Sequence, residues 1–362
     1  MKIGAWIGRP EAATDDAPHA RVVVSSRVRL ARNLEDAAFP GWAGEEERVR
    51  IWTRLRETLE ALPLLDDALC LGNEEMSDLE RALLFERHLI SREHARQGRG
   101  SGLALRADRQ LAVMVNEEDH LRLQALSPGL DLRGAWDRVN ALDDAIEAHV
   151  RYAFARDWGY LTACPTNLGT GMRASVMLHL PALALLDEMG PIGKGIRKIG
   201  LAVRGCGGEG TEAHGNLFQV SNQVTLGESE PALLDHLDQV VKELIEHEED
   251  ARGRLIEQRE SLLRDQVGRA WGILGHAHIL TSHEALDLLS ALRLGAESGM
   301  IDAVDRRAVD ALLVAVQPAH IQWHAGRRLT AVERDEARAD LVRKRLHAGE
   351  PPPPDAKETK TA

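Results

Sequence analysis

A chain of 362 residues is longer than one hydrophobic core usually serves, so two domains are expected. Its 44% hydrophobic and 28% charged residues exclude a disordered chain; no apolar run approaches the ~20 residues of a membrane span, and residues 1–10 lack a signal peptide's apolar stretch, so a cytoplasmic protein is expected. The formal charge of −12 argues against a nucleic-acid surface and suits basic partners such as arginine-rich protein segments.

In chain order, residues 21–24 read as a buried strand, and residues 45–62 as an amphipathic helix with Trp52, Leu55, Leu59 and Leu62 on one stripe. Short apolar runs at 111–115, 199–203 and 217–220 predict strands. Helical patterns fall near 141–155 and 175–189. This mixture predicts an α+β catalytic region over residues 1–255. From Pro231 onward Leu233, Leu237, Val240, Val241 and Leu244 recur at helical spacing, so residues 256–348 are expected to form a smaller, all-helical domain. Thr281 followed by Glu284 has the form of a capping box. Residues 349–362, with Pro351 to Pro354 in succession, predict a disordered tail. No internal repeat is found.

The chain contains neither a G-x-x-x-x-G-K-[ST] loop nor an H-R-D/D-F-G set, so a nucleotide site would have to be built otherwise. Arginines stand beside predicted strands and turns: Arg27, Arg29, Arg122, Arg173 and Arg204. Guanidinium offers a fixed fork of donors that matches phosphate oxygens, so five such residues could converge on one polyphosphate; solvated surface arginines are the plain alternative. Glu117, Glu118 and Asp119, with His120, crowd carboxylates at a strand end, which costs energy unless cations or a substrate compensate. Cys164 stands among hydroxyls and glycines just ahead of Arg173, a setting that can hold a thiolate. The other cysteines, Cys70 and Cys206, form no C-x-x-C pair with it, and reduced thiols are expected. Residues 205–215 hold five glycines with Glu209 and Glu212, as would a loop that closes over substrate.

Four strings, residues 25–33 (SSRVRLARN), 115–122 (VNEEDHLR), 160–167 (YLTACPTN) and 208–212 (GEGTE), together resemble the guanidino (phosphagen) kinase superfamily, most closely its protein-arginine kinase branch of the McsB type. The resemblance covers about residues 20–345 and implies an antiparallel sheet flanked by helices. The early position of the first string leaves no room for the helical N-terminal domain of small-guanidine kinases. Arg334, Asp335, Arg338 and Ala339 match the branch's R-D-x-x-R-A element, which implies allosteric phosphoarginine binding. His88 matches a family histidine, whereas a second nucleotide-contacting histidine is replaced by Met177.

The resemblance implies a kinase that moves the γ-phosphoryl group of Mg·ATP onto arginine side chains of proteins. Glu118 and Glu209 would align the guanidinium and accept its proton, and Cys164 would steer it electrostatically. Arg27, Arg29, Arg122, Arg173 and Arg204, with His88, would hold the nucleotide, Mg2+ being carried by its phosphates rather than by a protein metal site. It further implies a homodimer, an activator protein, a repressor among the substrates, delivery to a Clp-type protease and a stress-response role. Two rivals are a metabolic kinase for a free guanidine and a non-catalytic phosphoarginine-binding adaptor.

Overall fold

The computed structural model describes residue 3, residues 17–207 and residues 213–348. Its strands are β1 (Val23–Arg32), β2 (Leu69–Gly72), β3 (Gly102–Leu105), β4 (Leu111–Val115), β5 (Leu121–Pro128), β6 (Phe154–Ala155), β7 (Gly159–Tyr160), β8 (Met172–His179), β9 (Leu201–Gly207) and β10 (Ala213–Asn222). Eight form one sheet in the order β2-β3-β4-β5-β1-β8-β10-β9, with every neighbouring pair antiparallel, and β6 and β7 make a separate hairpin. The α+β expectation holds.

The helices of the first part are α1 (Glu45–Ala61), α2 (Asp78–Glu86), α3 (Arg92–Arg96), α4 (Leu132–Glu147), α5 (Pro181–Leu185) and α6 (Met189–Lys198). A 47-residue helix, α7 (Glu230–His276), leads into α8 (Ser282–Glu297), α9 (Arg306–Ala315), α10 (Pro318–Ala325) and α11 (Ala331–Ala348). The expected division at 255/256 therefore falls inside α7, four residues before its one non-helical position, Arg259 at φ −138°, ψ 32°. No helix among the described residues is long and apolar enough to cross a membrane. Residues 349–362, expected as a disordered tail, lie outside the described residues.

Alternation along β1 divides the molecule. Val28 and Leu30 point to one face, where they join Leu123, Ala125, Ala174 and Val176 in a core closed by Val139 and Leu142 of α4 and Leu237 and Val241 of α7. On the opposite face a second cluster covers only the β2–β4 end: Leu83 and Leu84 of α2 pack on Leu103, Leu105, Ala112 and Met114. The middle of that face is left to polar residues.

Three predicted elements need correction. The helical pattern over 175–189 is instead β8 followed by α5 and, from Met189, α6. Residues 174–183 are buried throughout, and with Met177 and Leu178 apolar on both faces the strand's alternation is hidden, so periodicity cannot distinguish it from a buried helix. The strand expected over 21–24 runs on to Arg32, its arginines alternating with Val28 and Leu30 inside the ladder. Helix α4 also begins nine residues before its predicted pattern, at Leu132, because Asp131 caps it through the amide of Gly134. Thr281 caps α8 as its sequence suggested, accepting from the Glu284 amide.

The C-terminal helices seat directly on the sheet. Arg293 of α8, fully buried, donates to the carbonyls of Ala20 and Arg21 just ahead of β1, meets Asp310 and Glu297, and contacts His179 Nδ1 at 2.8 Å. Arg252 of α7 joins Glu248 and Glu297, while Glu248 accepts from the first amides of α5.

His94 on α3 is completely enclosed, and neither ring nitrogen meets a hydrogen-bond partner among the described residues. Burial first, then Arg122 and Arg81, pushes its pKa down to about 3. An unfolded histidine takes its proton near 6.5 while the folded one refuses it until about 3, so stability is lost as pH falls below 6.5. Between pH 7 and pH 5 the loss from His94 should be about 2 kcal/mol. Denaturant titrations of His94→Phe should show that portion of the acid sensitivity removed.

Candidate active site

Strand register brings the five predicted arginines onto one face. Arg29 stands opposite Arg173 on one side and Gln124 on the other; Arg27 is opposite Ser175, and Ala31 opposite Arg122. Met177 pairs with Gln219, which pairs with Arg204. Because alternate residues share a face, Arg27, Arg29, Arg122, Arg173 and Arg204 all project from the uncovered middle of the sheet. Gln219 accepts from Arg27 Nη2 at 2.9 Å, and Ser175 Oγ lies 3.4 Å from Arg27 Nε. Gln124, Ser175 and Gln219 were not singled out from sequence; their only signal is polarity at positions where a strand would otherwise be apolar.

So many like charges disturb one another. Desolvation, then Arg27, Arg122 and Arg173, holds the Arg29 guanidinium well below its ordinary pKa, with Glu117 opposing. Arg173 is lowered by burial and by Arg204, while Cys164 acts to raise it. The Nε of Arg29 is buried without a hydrogen-bond partner. A surplus of fixed positive charge with an orphaned buried donor fits a polyanion of the size and charge of a nucleotide polyphosphate.

The acidic turn between β4 and β5 resolves its crowding by pointing its members apart. Glu117, buried, accepts from Ser91 Oγ and from Arg122 Nη1 at 2.5 Å, which fixes that guanidinium. Asp119, also buried, accepts from Asn33 Nδ2 at 2.6 Å and from the Ala163 amide at 2.7 Å, tying the end of β1 to the residue before Cys164. His120 closes the turn against the Leu34 amide and the Ala38 carbonyl. Glu118 alone is turned outward, its side chain 43% exposed and 3.7 Å from Arg122 Nη2. Desolvation, followed by Asp119, raises its pKa, and Arg122 partly opposes this.

Cys164 rides on a loop whose two ends are clamped together. The Tyr160 amide donates to the Gly169 carbonyl at 2.8 Å, and Thr225 Oγ1 donates to the carbonyls of Thr166 and Leu168. Gly159, at φ +70°, approaches so closely that a Cβ would lie 2.4 Å from the Gly169 oxygen, so no other residue fits. The Cys164 sulfur is half-buried, 3.0 Å from Thr166 Oγ1.

His88 sits at φ +58° just after α2, and its carbonyl accepts from Gln124 Nε2 at 2.9 Å. Desolvation of the imidazole, with Arg27 adding, lowers its pKa to about 4. Met177 lies on the arginine face, buried, between Ser25 and Gln219. Glu209 falls outside the described residues; β9 ends at Gly207 and β10 begins at Ala213. In the C-terminal element Arg338 is 1% exposed and donates to the carbonyls of Val316 and Leu280 and to Asp335. Ala339 is fully buried beside it, and Arg334, half-buried, donates to the Leu329 carbonyl.

Asp119→Ala should free the Cys164 loop, leaving the Ala163 amide without its acceptor and Asn33 with the Leu161 carbonyl alone. A loss of roughly tenfold to a hundredfold in kcat, with little change in nucleotide affinity, is expected in steady-state kinetics.

Comparison with known proteins agrees with this geometry. The model of the ATP:guanido phosphotransferase C-terminal catalytic domain matches residues 43–251, and that of the protein-arginine kinase McsB C-terminal domain matches residues 260–358. A protein-arginine kinase of Moorella thermoacetica is 47% identical over 335 residues, covering 91% of this chain and 95% of its own. One from Halothermothrix orenii is 44% identical over 91% of this chain and 94% of its own. Among solved structures, the duplicated taurocyamine kinase of Schistosoma mansoni with transition-state analog components superposes with a TM-score of 0.58 at 27% identity, over 68% of this chain and 37% of that one, so this chain spans little more than a third of it. A lombricine kinase superposes with a TM-score of 0.56 at 24% identity over 67% of this chain and 71% of its own, a likeness of fold. The chain belongs to the ATP:guanido phosphotransferase family of kinases, in the branch that carries the protein-arginine kinase McsB C-terminal domain.

Proposed function

We propose that this protein transfers the γ-phosphoryl group of Mg·ATP to arginine side chains of other proteins. The observation that carries the reading is the single cationic face, with Arg29 unsatisfied at its centre and Glu118 and Cys164 at its edge. Bound ATP supplies the electrophilic phosphorus, and magnesium, held through phosphate oxygens, draws off charge from it. The arginines align the phosphates and neutralise charge that develops on the transferring group; loss of one should cost about a hundredfold in rate.

A guanidinium is protonated and its lone pairs are delocalised, so it attacks phosphorus poorly. Glu118 accepts hydrogen bonds from the incoming guanidinium and takes the proton that its attacking nitrogen must lose, and its raised pKa suits a proton acceptor. Glu209 serves as the second carboxylate and the Cys164 sulfur steers the cation, both by resemblance. The N–P product turns a positive side chain negative, which would break contacts to DNA phosphate or carboxylates. The resemblance extends to a homodimer, an activator protein, a repressor substrate and handover to a Clp-type protease. Recognition of phosphoarginine by the C-terminal element would begin at Arg334 and Asp335, its members with open surface.

The named relatives favour protein substrates, whereas the small-guanidine kinases among the solved structures raise the free-guanidine reading. Incubation with Mg·ATP and either a basic protein or free arginine, followed by measurement of acid-labile phosphate on each, should give label on the protein. Label on free arginine alone would reverse the assignment, and label on neither would leave the adaptor.

The pH profile tests the base. As pH falls through the raised pKa of Glu118 the carboxylate takes a proton and can no longer accept one, so kcat/KM should fall on the acid side. Glu118→Gln should lower kcat roughly a hundredfold or more and remove that acid limb; a variant with an unchanged limb assigns the base elsewhere.

A further inference from the structure

Behind the Cys164 loop lies a pocket of about 310 Å³ that the phosphoryl-transfer chemistry does not use. Its walls include Phe154, Trp158 and Tyr160, and its rim Asp157, Glu228 and Glu230. Three aromatic rings and three carboxylates around one cavity are the composition that binds a cation: the ring faces attract it through their quadrupoles, and the carboxylates supply opposite charge.

The local structure keeps this surface open. A hairpin of two-residue strands is unstable alone, and β6–β7 is held by edge-on packing of Phe154 against Tyr160 and by hydrogen bonds from Tyr160 and Leu161 to Gly169 and Ala153. That leaves Phe154 59% and Trp158 54% exposed at the hairpin. Glu230 is committed to Trp136 Nε1 at 2.8 Å. Asp157 and Glu228 make no hydrogen bond or ion pair among the described residues, so two carboxylates remain available. Tyr160 already carries a guanidinium on one ring face, that of Arg32 at 3.5 Å from the centroid. Arg32 itself is anchored by Asp143 at 2.6 Å from the sheet's opposite side.

The pocket also adjoins the loop that carries Cys164. Gly169, Thr170 and Thr225 line it, and these same residues clamp the base of that loop. A polypeptide whose target arginine enters beside Glu118 and Cys164 could therefore reach the pocket with a nearby side chain.

We propose that this pocket is a second substrate subsite, which takes a cationic side chain, lysine or arginine, close in sequence to the arginine being phosphorylated. The proposal rests on the protein-substrate reading above. It makes basic, extended segments the preferred targets, consistent with the acidic charge of −12.

Peptides with one arginine and one lysine separated by roughly two to six residues, each spanning ~3.5 Å per residue, test it directly, because lysine carries no guanidine to accept phosphate. With the full-length protein, one spacing should lower KM roughly tenfold relative to the matched peptide with glutamine in place of lysine. Trp158→Ala and the pair Asp157→Asn with Glu228→Gln should abolish that preference while leaving KM for ATP and kcat on the glutamine peptide unchanged. Equal KM values for lysine, glutamine and leucine peptides at every spacing would overturn the subsite, as would a preference that survives both sets of variants. A leucine peptide that outperforms the lysine peptide would make the pocket an apolar one and overturn the cation assignment. A wild-type protein that labels none of the peptides but labels free arginine overturns the protein-substrate reading itself.

Discussion

The arrangement depends on mutual repulsion among guanidinium groups that the sheet does not allow to separate. Backbone hydrogen bonding fixes Arg27, Arg29, Arg122, Arg173 and Arg204 to four strands whose register places them on one face. Among the described residues Arg122 pairs with Glu117 and Glu118 within salt-bridge distance. Burial first, and then this repulsion, depress the pKa of Arg29. The stability of the ladder and of the core beneath it offsets a repulsion that an anionic ligand would relieve, which is what pre-organisation for a polyphosphate requires.

The surroundings divide this work among groups that do not themselves touch ligand. Glu117 and Asp119 are buried anchors on a single turn, one for Arg122 and one for the Cys164 loop, and they leave Glu118 as the member open to an approaching cation. Two of the joints made by the C-terminal helices bear on the site. Arg293 and Arg252 bind the carbonyls that precede β1, and Glu86 at the end of α2 accepts from the amides of Ala319 and His320 on α10, two residues before His88. Movement of those helices would therefore reach both the strand that carries Arg27 and Arg29 and the turn that carries His88.

Much of this was legible in the sequence because the motifs are local. The acidic turn, the cysteine loop and the arginines announced themselves by residue type, and Leu111–Val115 was read correctly from its apolar run. What could not be read was long-range. Gln219 lies 192 residues from the Arg27 it binds, and Asp143 lies 111 from Arg32, with no spacing rule to connect them. The β8 segment was read as helix because apolar residues fall on both of its faces and erase the period that distinguishes the two. Arg338 was read as a ligand residue from its motif, and only packing reveals that its donors are directed to the carbonyls of Val316 and Leu280.

The central claim is that the cationic face grips phosphate rather than the rest of a nucleotide. Titration calorimetry of AMP, ADP and ATP, repeated for Arg29→Met, tests it most directly. The account predicts that affinity climbs steeply with each added phosphate, roughly tenfold or more per step, and that the variant flattens the climb. Equal affinities for AMP and ATP, or an unaltered series in Arg29→Met, would contradict it.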